Sequence, residues 1–366
     1  MEYINNNRKL GLTGLLRVRN DELTLAQSID SCIDALDELV ITYNDCTDRS
    51  VKIIENAHLK YPDKIIVVPY PHHVIVKVTE ETKSLPIGSP QLVATYYNNA
   101  LQYVNYKYVM KIDADQVYFT EDLKELRDRI VKGVKQSKLS RFCGKVVNVF
   151  CQKRANKRIW SKSHLLHWMQ FVVVPLFRKQ YMDYAVSELL KGNGYLSLSG
   201  VNVLRYDNQW CSPCGSWPYN VGGDHLTWPY NGFGDHLVFE ADENTEYLPL
   251  VVGYSTIFPD QQFLIERFNH PKEKTIFLVG FYWFHLKPMK DSSFDKYTSY
   301  LREHDNIVIP VCRLGKVKFS RLLKHLDKGR NDYHRVRAYY NFVHNLDKKS
   351  IIVNEEVLDC FKGLLA

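Results

Sequence analysis

Two carboxylates stand two residues apart in Asp113-Ala114-Asp115. Hard oxygen donors at that spacing suit Mn²⁺ or Mg²⁺ and leave part of the ion's shell for phosphate oxygens. An ion held in this way neutralises a departing diphosphate. Acidic pairs are common in surface turns, so the segment before them matters. Tyr106-Lys107-Tyr108-Val109-Met110-Lys111-Ile112 is a run of β-branched and aromatic residues ending in a polar break, and it reads as a strand. The carboxylates therefore belong at a strand end. Late in the chain, Lys287 follows the run Phe281-Tyr282-Trp283-Phe284-His285-Leu286 and offers a point cation for diphosphate charge.

The elements that must position Asp113 alternate between strand and helix. Leu10 to Val18 is an apolar strand candidate that runs into Arg19-Asn20-Asp21-Glu22. Leu25, Ile29, Cys32, Ile33 and Leu36 follow at helical spacing. Leu39 to Tyr43 is a second strand, broken at Asn44-Asp45-Cys46-Thr47-Asp48, whose Thr and Asp suit a helix N-cap. Val51, Ile54 and His58 line the next helix, and Lys64 to Pro69 is a third strand. Leu92, Val93, Tyr96, Ala100, Leu101 and Val104 mark the helix before the Asp113 strand. Such alternation predicts an α/β domain, with a mostly parallel central sheet and helices on both faces. Ligands of these sheets bind at the carboxyl ends of the strands, where Asn20, Asp45, Asp48 and Asp113 are expected to converge.

In this order and spacing, residues 10–118 resemble the family 2 glycosyltransferases. Arg19-Asn20-Asp21-Glu22 looks like their first strand-end motif. Tyr43-Asn44-Asp45-Cys46-Thr47-Asp48-Arg49-Ser50 looks like their acidic turn, and Tyr97-Asn98-Asn99-Ala100 with Asp113-Ala114-Asp115 looks like the helix and metal motif that follow. The resemblance implies a GT-A fold, a UDP- or GDP-sugar donor and a divalent metal on Asp113 and Asp115. It places Arg17, Asn20, Asn44, Asp45, Asp48, Asn98 and Asp113 on the donor side. Tyr43-Asn44 replaces an Asp pair of the family, so Asp45 or Asn44 is expected to read the base. Residues 70–90, with Pro71-His72-His73, are long for the family and suit a loop over the donor.

The acceptor side is expected in the middle third. Tyr195 to Arg205, with Gly200-Val201-Asn202, resembles the family's strand beneath the transferred sugar. A tandem repeat of period 11 follows, Trp217-Pro218-Tyr219-Asn220-Val221-Gly222-Gly223-Asp224-His225-Leu226 and then Trp228-Pro229-Tyr230-Asn231-Gly232-Phe233-Gly234-Asp235-His236-Leu237. Its Gly and Pro predict loops, whose aromatics either stack on a sugar or anchor structural turns. By the resemblance, Asp235 or Asp224 is the base that deprotonates the acceptor hydroxyl, with Asp235 favoured, and His285 completes the metal shell or contacts the diphosphate.

Hydrophobic residues make up 45% of 366, which excludes wholesale disorder. The expected organisation is a GT-A domain over 1–290, divided into a nucleotide-sugar half (10–118) and an acceptor half (119–290), followed by a basic helical extension over 291–366. No apolar run reaches the roughly 18–20 residues of a membrane span. The polar start Met1-Glu2-Tyr3-Ile4-Asn5-Asn6-Asn7 is unlike a signal peptide, which favours a bacterial cytoplasmic enzyme. From Arg313 to Lys349 there are 11 Lys or Arg against three acids, with Leu322, Leu323 and Leu326 at helical spacing. That pattern suits docking on an anionic membrane and a lipid-linked or glycan acceptor of cell-surface polysaccharide synthesis. Lys153-Arg154-Ala155-Asn156-Lys157-Arg158 is a second basic cluster, for a charged acceptor or the same membrane. No nucleic-acid motif accompanies either cluster. The eight Cys are scattered, as for free thiols in a reducing compartment; Cys211 and Cys214 form the one close pair, and zinc there needs His225 or His236. Two other readings stay open. A nucleotidyltransferase would open with a Gly-rich loop where Arg17-Val18-Arg19-Asn20 stands, and a non-catalytic module would not need Asp113 and Asp115.

Overall fold

The structure is a computed structural model. It describes residues 8–151 apart from 77, 80, 81 and 83, together with 173, 176–213, 230–255, 258–269, 273–286, 299, 302–303, 308–316, 357–358 and 361. The chain forms two compact units, one of Met1–Arg127 with Val238–Lys274, the other of Asp128–Leu237 with Thr275–Ala366.

The first unit carries the alternation read from the sequence. Its elements are β1 (Lys9–Val18), α1 (Leu25–Cys32), β2 (Glu38–Tyr43), α2 (Ser50–Lys60), β3 (Ile65–Pro69), α3 (Val93–Leu101), β4 (Tyr106–Asp113), β5 (Gln116–Tyr118) and the start of α4 (Thr120–Lys132). The order is β3-β2-β1-β4, all parallel. The strands are apolar on both faces because helices cover them: Leu12, Leu15, Leu16, Leu39, Val40, Ile41, Val109, Met110 and Ile112 are fully buried. Helix α1 is shorter than the periodicity suggests, ending in a 3₁₀ turn at Ile33–Ala35. At the amino end of the sheet, buried Glu38 accepts hydrogen bonds from Thr13 Oγ1 at 2.9 Å and from Asn105 N and Nδ2 at 2.9 and 2.7 Å. One carboxylate thereby fixes β1, β2 and the entry to β4.

The unit's later segment returns to this sheet. Strand β9 (Tyr230–Glu240) pairs antiparallel with β4 through Val238, Phe239 and Glu240. An antiparallel pair, β10 (Tyr247–Ser255) and β11 (Phe258–Phe268), lies against α3.

In the second unit, α5 (Lys138–Cys151) packs on α6 (Arg178–Leu190), and α6 covers β6 (Gly194–Asn202). Strand β6 runs parallel to β12 (Thr275–His285), with two register shifts, one of them at Gly280, whose φ of 129° a side chain rarely adopts. Gly200 is required by packing: a Cβ there would lie 1.9 Å from Trp283 Nε1. Strands β7 (Leu204–Tyr206), β8 (Gln209–Pro213) and β13 (Val308–Pro310) form a small antiparallel sheet. The second copy of the tandem repeat is not a loop throughout, because residues 230–237 belong to β9. Its Gly232 and Gly234 read as turn formers locally, but they lie within the strand that goes on to pair with β4. The first copy and nearly all of 317–366 fall outside the described residues. Among the described residues, no helix is long and apolar enough to cross a membrane.

Candidate active site

The strand ends of the first unit meet at its carboxyl edge. In register, Arg17 of β1 lies beside Asp113 of β4, and Val18 beside Tyr43 of β2. Just beyond, Asn20 and Asp45 take positive φ values of 55° and 47°. Asn and Asp are the non-glycine residues that best tolerate this region. The two turns they start are tied together. Asn20 Oδ1 accepts from Thr47 N at 2.7 Å, and Asp48 accepts from Glu22 N at 3.0 Å and from Ser50 N at 2.9 Å. Glu22 in turn accepts from Arg49 N and Nε at 2.9 and 3.1 Å, and Ser50 Oγ accepts from Asp21 N at 2.7 Å. Partial burial pushes the Asp48 carboxyl up, but these amide donors outweigh it and hold its pKa below the usual value. Asp48 and Asn20 thus act as the frame of the edge: both oxygens of Asp48 and the acceptor of Asn20 face backbone amides.

Asp45 is different. Its Oδ2 receives His73 Nδ1 at 2.6 Å and Asn44 Nδ2 at 3.1 Å, with Arg19 Nη2 at 3.8 Å. Arg19 also donates to Val74 O at 3.3 Å. The segment 72–74, read from sequence as part of a loop over the donor, is therefore anchored to the β2 turn.

The turn after β4 is set by its own side chains. Gln116 Oε1 accepts from Asp113 N at 3.2 Å and from Tyr118 Oη at 2.5 Å. Thr24 Oγ1 donates to Ala114 O at 2.8 Å and Ser28 Oγ to Asp113 O at 3.3 Å, so α1 holds this turn from one side. Asp113 is half-buried and Asp115 buried. Arg17 lies with its guanidinium carbon 5.6 Å from the centre of the buried Tyr97 ring, and Lys111 Nζ lies 5.6 Å from the same ring. Lys111 is paired with Glu266 of β11 at 2.9 Å. Burial lowers the Arg17 pKa, but Tyr97, Glu266 and Asp113 outweigh it, so the net shift is upward. Arg17 is therefore a permanent cation beside Asp113.

Not every candidate residue stands free for a ligand. Both ends of the Asn98 amide are taken by Tyr247, with Nδ2 donating to its carbonyl at 2.9 Å and Oδ1 accepting from its N–H at 2.7 Å. Asn98 anchors β10 to α3 in this structure. The pairing of Lys111 with Glu266 has no local signal in the sequence, since Glu266 lies 155 positions further on.

In the second unit, buried His285 at the end of β12 faces Asn202 at the end of β6, Nδ1 to Oδ1 at 2.7 Å. In the neutral ring that places the proton on Nδ1 and the lone pair on Nε2. Buried His236 packs edge-on against Trp283 at 5.0 Å between ring centres. Asp235 lies on β9 with its side chain outside the described residues, and Asp224, Lys287, His225 and Cys214 fall outside them altogether. Among the described residues no three His, Cys, Asp or Glu side chains converge as a metal cluster. Asp113 and Asp115 nonetheless fit a hard divalent ion by donor type and by their place at the carboxyl edge of a parallel sheet.

A parallel sheet with these strand-end motifs and an Asp-Ala-Asp turn at its carboxyl edge is the arrangement expected of a GT-A glycosyltransferase. Residues 5–138 match the family described as "Beta-1,4-N-acetylgalactosaminyltransferase (CgtA)". No curated protein matches the chain in sequence. Solved structures that resemble it include Staphylococcus aureus TarS in complex with UDP-GlcNAc, at 17% identity over 32% of this chain and 30% of that one, with a TM-score of 0.23. Glucosyl-3-phosphoglycerate synthase from Mycobacterium tuberculosis with Mn²⁺ and UDP gives 17% identity over 30% and 35%, TM-score 0.20. The mannosyltransferase PcManGT from Pyrobaculum calidifontis, with GDP-Man and Mn²⁺, gives 15% over 40% and 41%, TM-score 0.25. The chain spans about a third of the length of the first structures it matches.

Proposed function

We propose that the protein transfers a sugar, with inversion, from a UDP- or GDP-sugar to a hydroxyl of a glycan or lipid-linked acceptor in cell-surface polysaccharide synthesis. The observation that carries the reading is the Asp113-Ala114-Asp115 turn at the end of β4, with the half-buried cation Arg17 beside it in register. On this reading Asp113 and Asp115 hold Mn²⁺ or Mg²⁺, which when bound neutralises charge on the leaving diphosphate. Asp45 or Asn44 reads the nucleotide base, and His73 and Arg19 orient the Asp45 carboxylate. Asp235, or Asp224, takes the proton of the attacking hydroxyl, and Lys287 offsets charge on the leaving group. His285, oriented by Asn202, serves the metal or the diphosphate. Residues 313–349 keep the enzyme peripheral on the inner face of the plasma membrane.

A panel of sugar nucleotides tests this. The family match makes UDP-N-acetylgalactosamine the first to try. Mn²⁺-dependent hydrolysis of one member, lost in Asp115→Ala with the thermal transition unchanged, is the expected result. Undiminished activity in EDTA would remove the metal from the mechanism.

A further inference from the structure

Helix α5 is apolar on two opposite faces. One face packs on α6: Val147 is fully buried, and a Cβ at Gly144 would lie 2.5 Å from Tyr184 Cβ. The other face bears Leu139, Phe142, Val146 and Val149 at i, i+3, i+7 and i+10, a continuous helical stripe. Leu139, Phe142 and Val149 are 71, 63 and 54% exposed. A single exposed leucine is ordinary, but an aligned row with a phenylalanine at its centre is a patch that marks an interaction surface.

Charge identifies the partner. Lys138 and Lys145 fall on the same face, alternating with Phe142 and Val149 at i, i+4, i+7 and i+11. Arg141 is paired with Glu188 at 3.0 Å. Among the described residues, Lys135, Lys138 and Lys145 have no ion-pair partner. The bias extends along the sequence: from Arg129 to Met182 there are 13 Lys or Arg and no Asp or Glu, in a chain whose net charge is only +7.

We infer that the outer face of α5 docks on an anionic bilayer. The helix axis lies in the membrane plane, Leu139, Phe142 and Val149 enter the boundary between headgroups and acyl chains, and Lys138 and Lys145 meet lipid phosphates. A helix with a basic flank and a Leu/Phe/Val stripe has the composition of an interfacial helix. Nucleic acid would satisfy the lysines but gives no place to three apolar side chains on the same stripe. A second copy of the chain could supply negative charge, but lysines between the apolar residues are unfavourable in a protein interface core. This surface is separate in sequence from residues 313–349, and it stands independently of the donor reading.

The test is co-sedimentation of the full chain with vesicles of phosphatidylglycerol and phosphatidylcholine, against phosphatidylcholine alone. The parent is expected to bind the anionic vesicles preferentially. Leu139→Ser with Phe142→Ser should weaken binding at least about tenfold, given the worth of burying even one such side chain. Lys138→Gln with Lys145→Gln should weaken it about 30-fold at low salt, near fivefold per charge, and flatten the salt dependence. All four positions point away from α6, so thermal unfolding of both variants should match the parent. Hydrogen exchange over 138–149 should slow when anionic vesicles are added. Parent-like binding by both variants would overturn the inference and assign docking to 313–349 or 152–172. Absence of parent binding to anionic vesicles would overturn it too. So would a dimer that dissociates in Leu139→Ser/Phe142→Ser, or vesicle binding abolished by competing duplex DNA with no change in exchange over 138–149.

Discussion

Lys111 and Glu266 make a sharp test of how the carboxyl edge of the first unit's sheet is built. They are 2.9 Å apart with side chains only 6 and 11% exposed, beside Tyr97 and within reach of Arg17. Glu266→Gln removes the carboxylate paired with Lys111 and leaves Lys111 and Arg17 as two cations beside one ring. Removing one partner of a buried pair costs about 3–5 kcal/mol. A unit of this size shifts by about 2–4 °C per kcal/mol, so its transition should fall by about 6–20 °C. Lys111→Met alone should cost a similar amount, since it strands Glu266. Lys111→Met with Glu266→Leu should recover most of the loss, because both desolvation penalties vanish together. Scanning calorimetry on the four proteins of the cycle gives the coupling. A coupling below about 0.5 kcal/mol, the scatter expected for independent sites, would show that water reaches the pair and would refute the reasoning.

Other outcomes follow from the same geometry. Asp235→Asn should cut transfer by about 10²–10⁴-fold with donor affinity little changed, and Asp224→Asn should do less; normal transfer rates in both would exclude the pair as base. Asp48 has a folded-state pKa below its unfolded value, so its contribution is present above about pH 4 and is lost as pH falls through the folded value. Asp48→Asn should therefore lower the melting temperature at pH 7 and shrink the difference between pH 7 and pH 3; an unchanged difference would contradict the assignment. Replacing Lys316, Lys318, Arg321 and Lys324 by Gln should reduce retention on anionic vesicles while sparing donor hydrolysis, and equal partitioning of variant and parent would leave that stretch without a docking role.

The first unit was legible because its signals are local. A strand rich in β-branched and aromatic residues shows itself over a few positions, so β1, β2, β3 and β4 fall within a residue or two of where the pattern puts them. Polar breaks after those strands also located Asn20, Asp45 and Asp113. What the pattern could not show is which distant backbone a polar side chain meets. Asn98 sits in a motif that resembles a donor-binding one, yet its amide pairs with Tyr247, 149 residues away. Lys111 lies within the β4 run, but its partner Glu266 belongs to a hairpin that no local signal attaches to β4. The tandem repeat misled for the opposite reason. Glycines at 232 and 234 are strong turn formers by themselves, but a strand can contain them where its continuation, Val238 to Glu240, is fixed by pairing.

The cross-wired turns at 19–22 and 44–50 have a consequence for anyone wishing to retarget the enzyme. Glu22 caps the segment that Arg49 starts, Asp48 answers Glu22, and Asn20 holds Thr47, so neither turn keeps its shape without the other. Exchanging the β2 turn alone for that of a relative would leave Glu22 and Asn20 facing the wrong donors and would collapse a backbone already held in the left-handed region at Asp45. The heritable module is the pair. A chimera that carries both segments, with His73 as the clasp on Asp45, is the smallest graft that keeps the edge intact, and on the proposed reading it would carry base recognition with it.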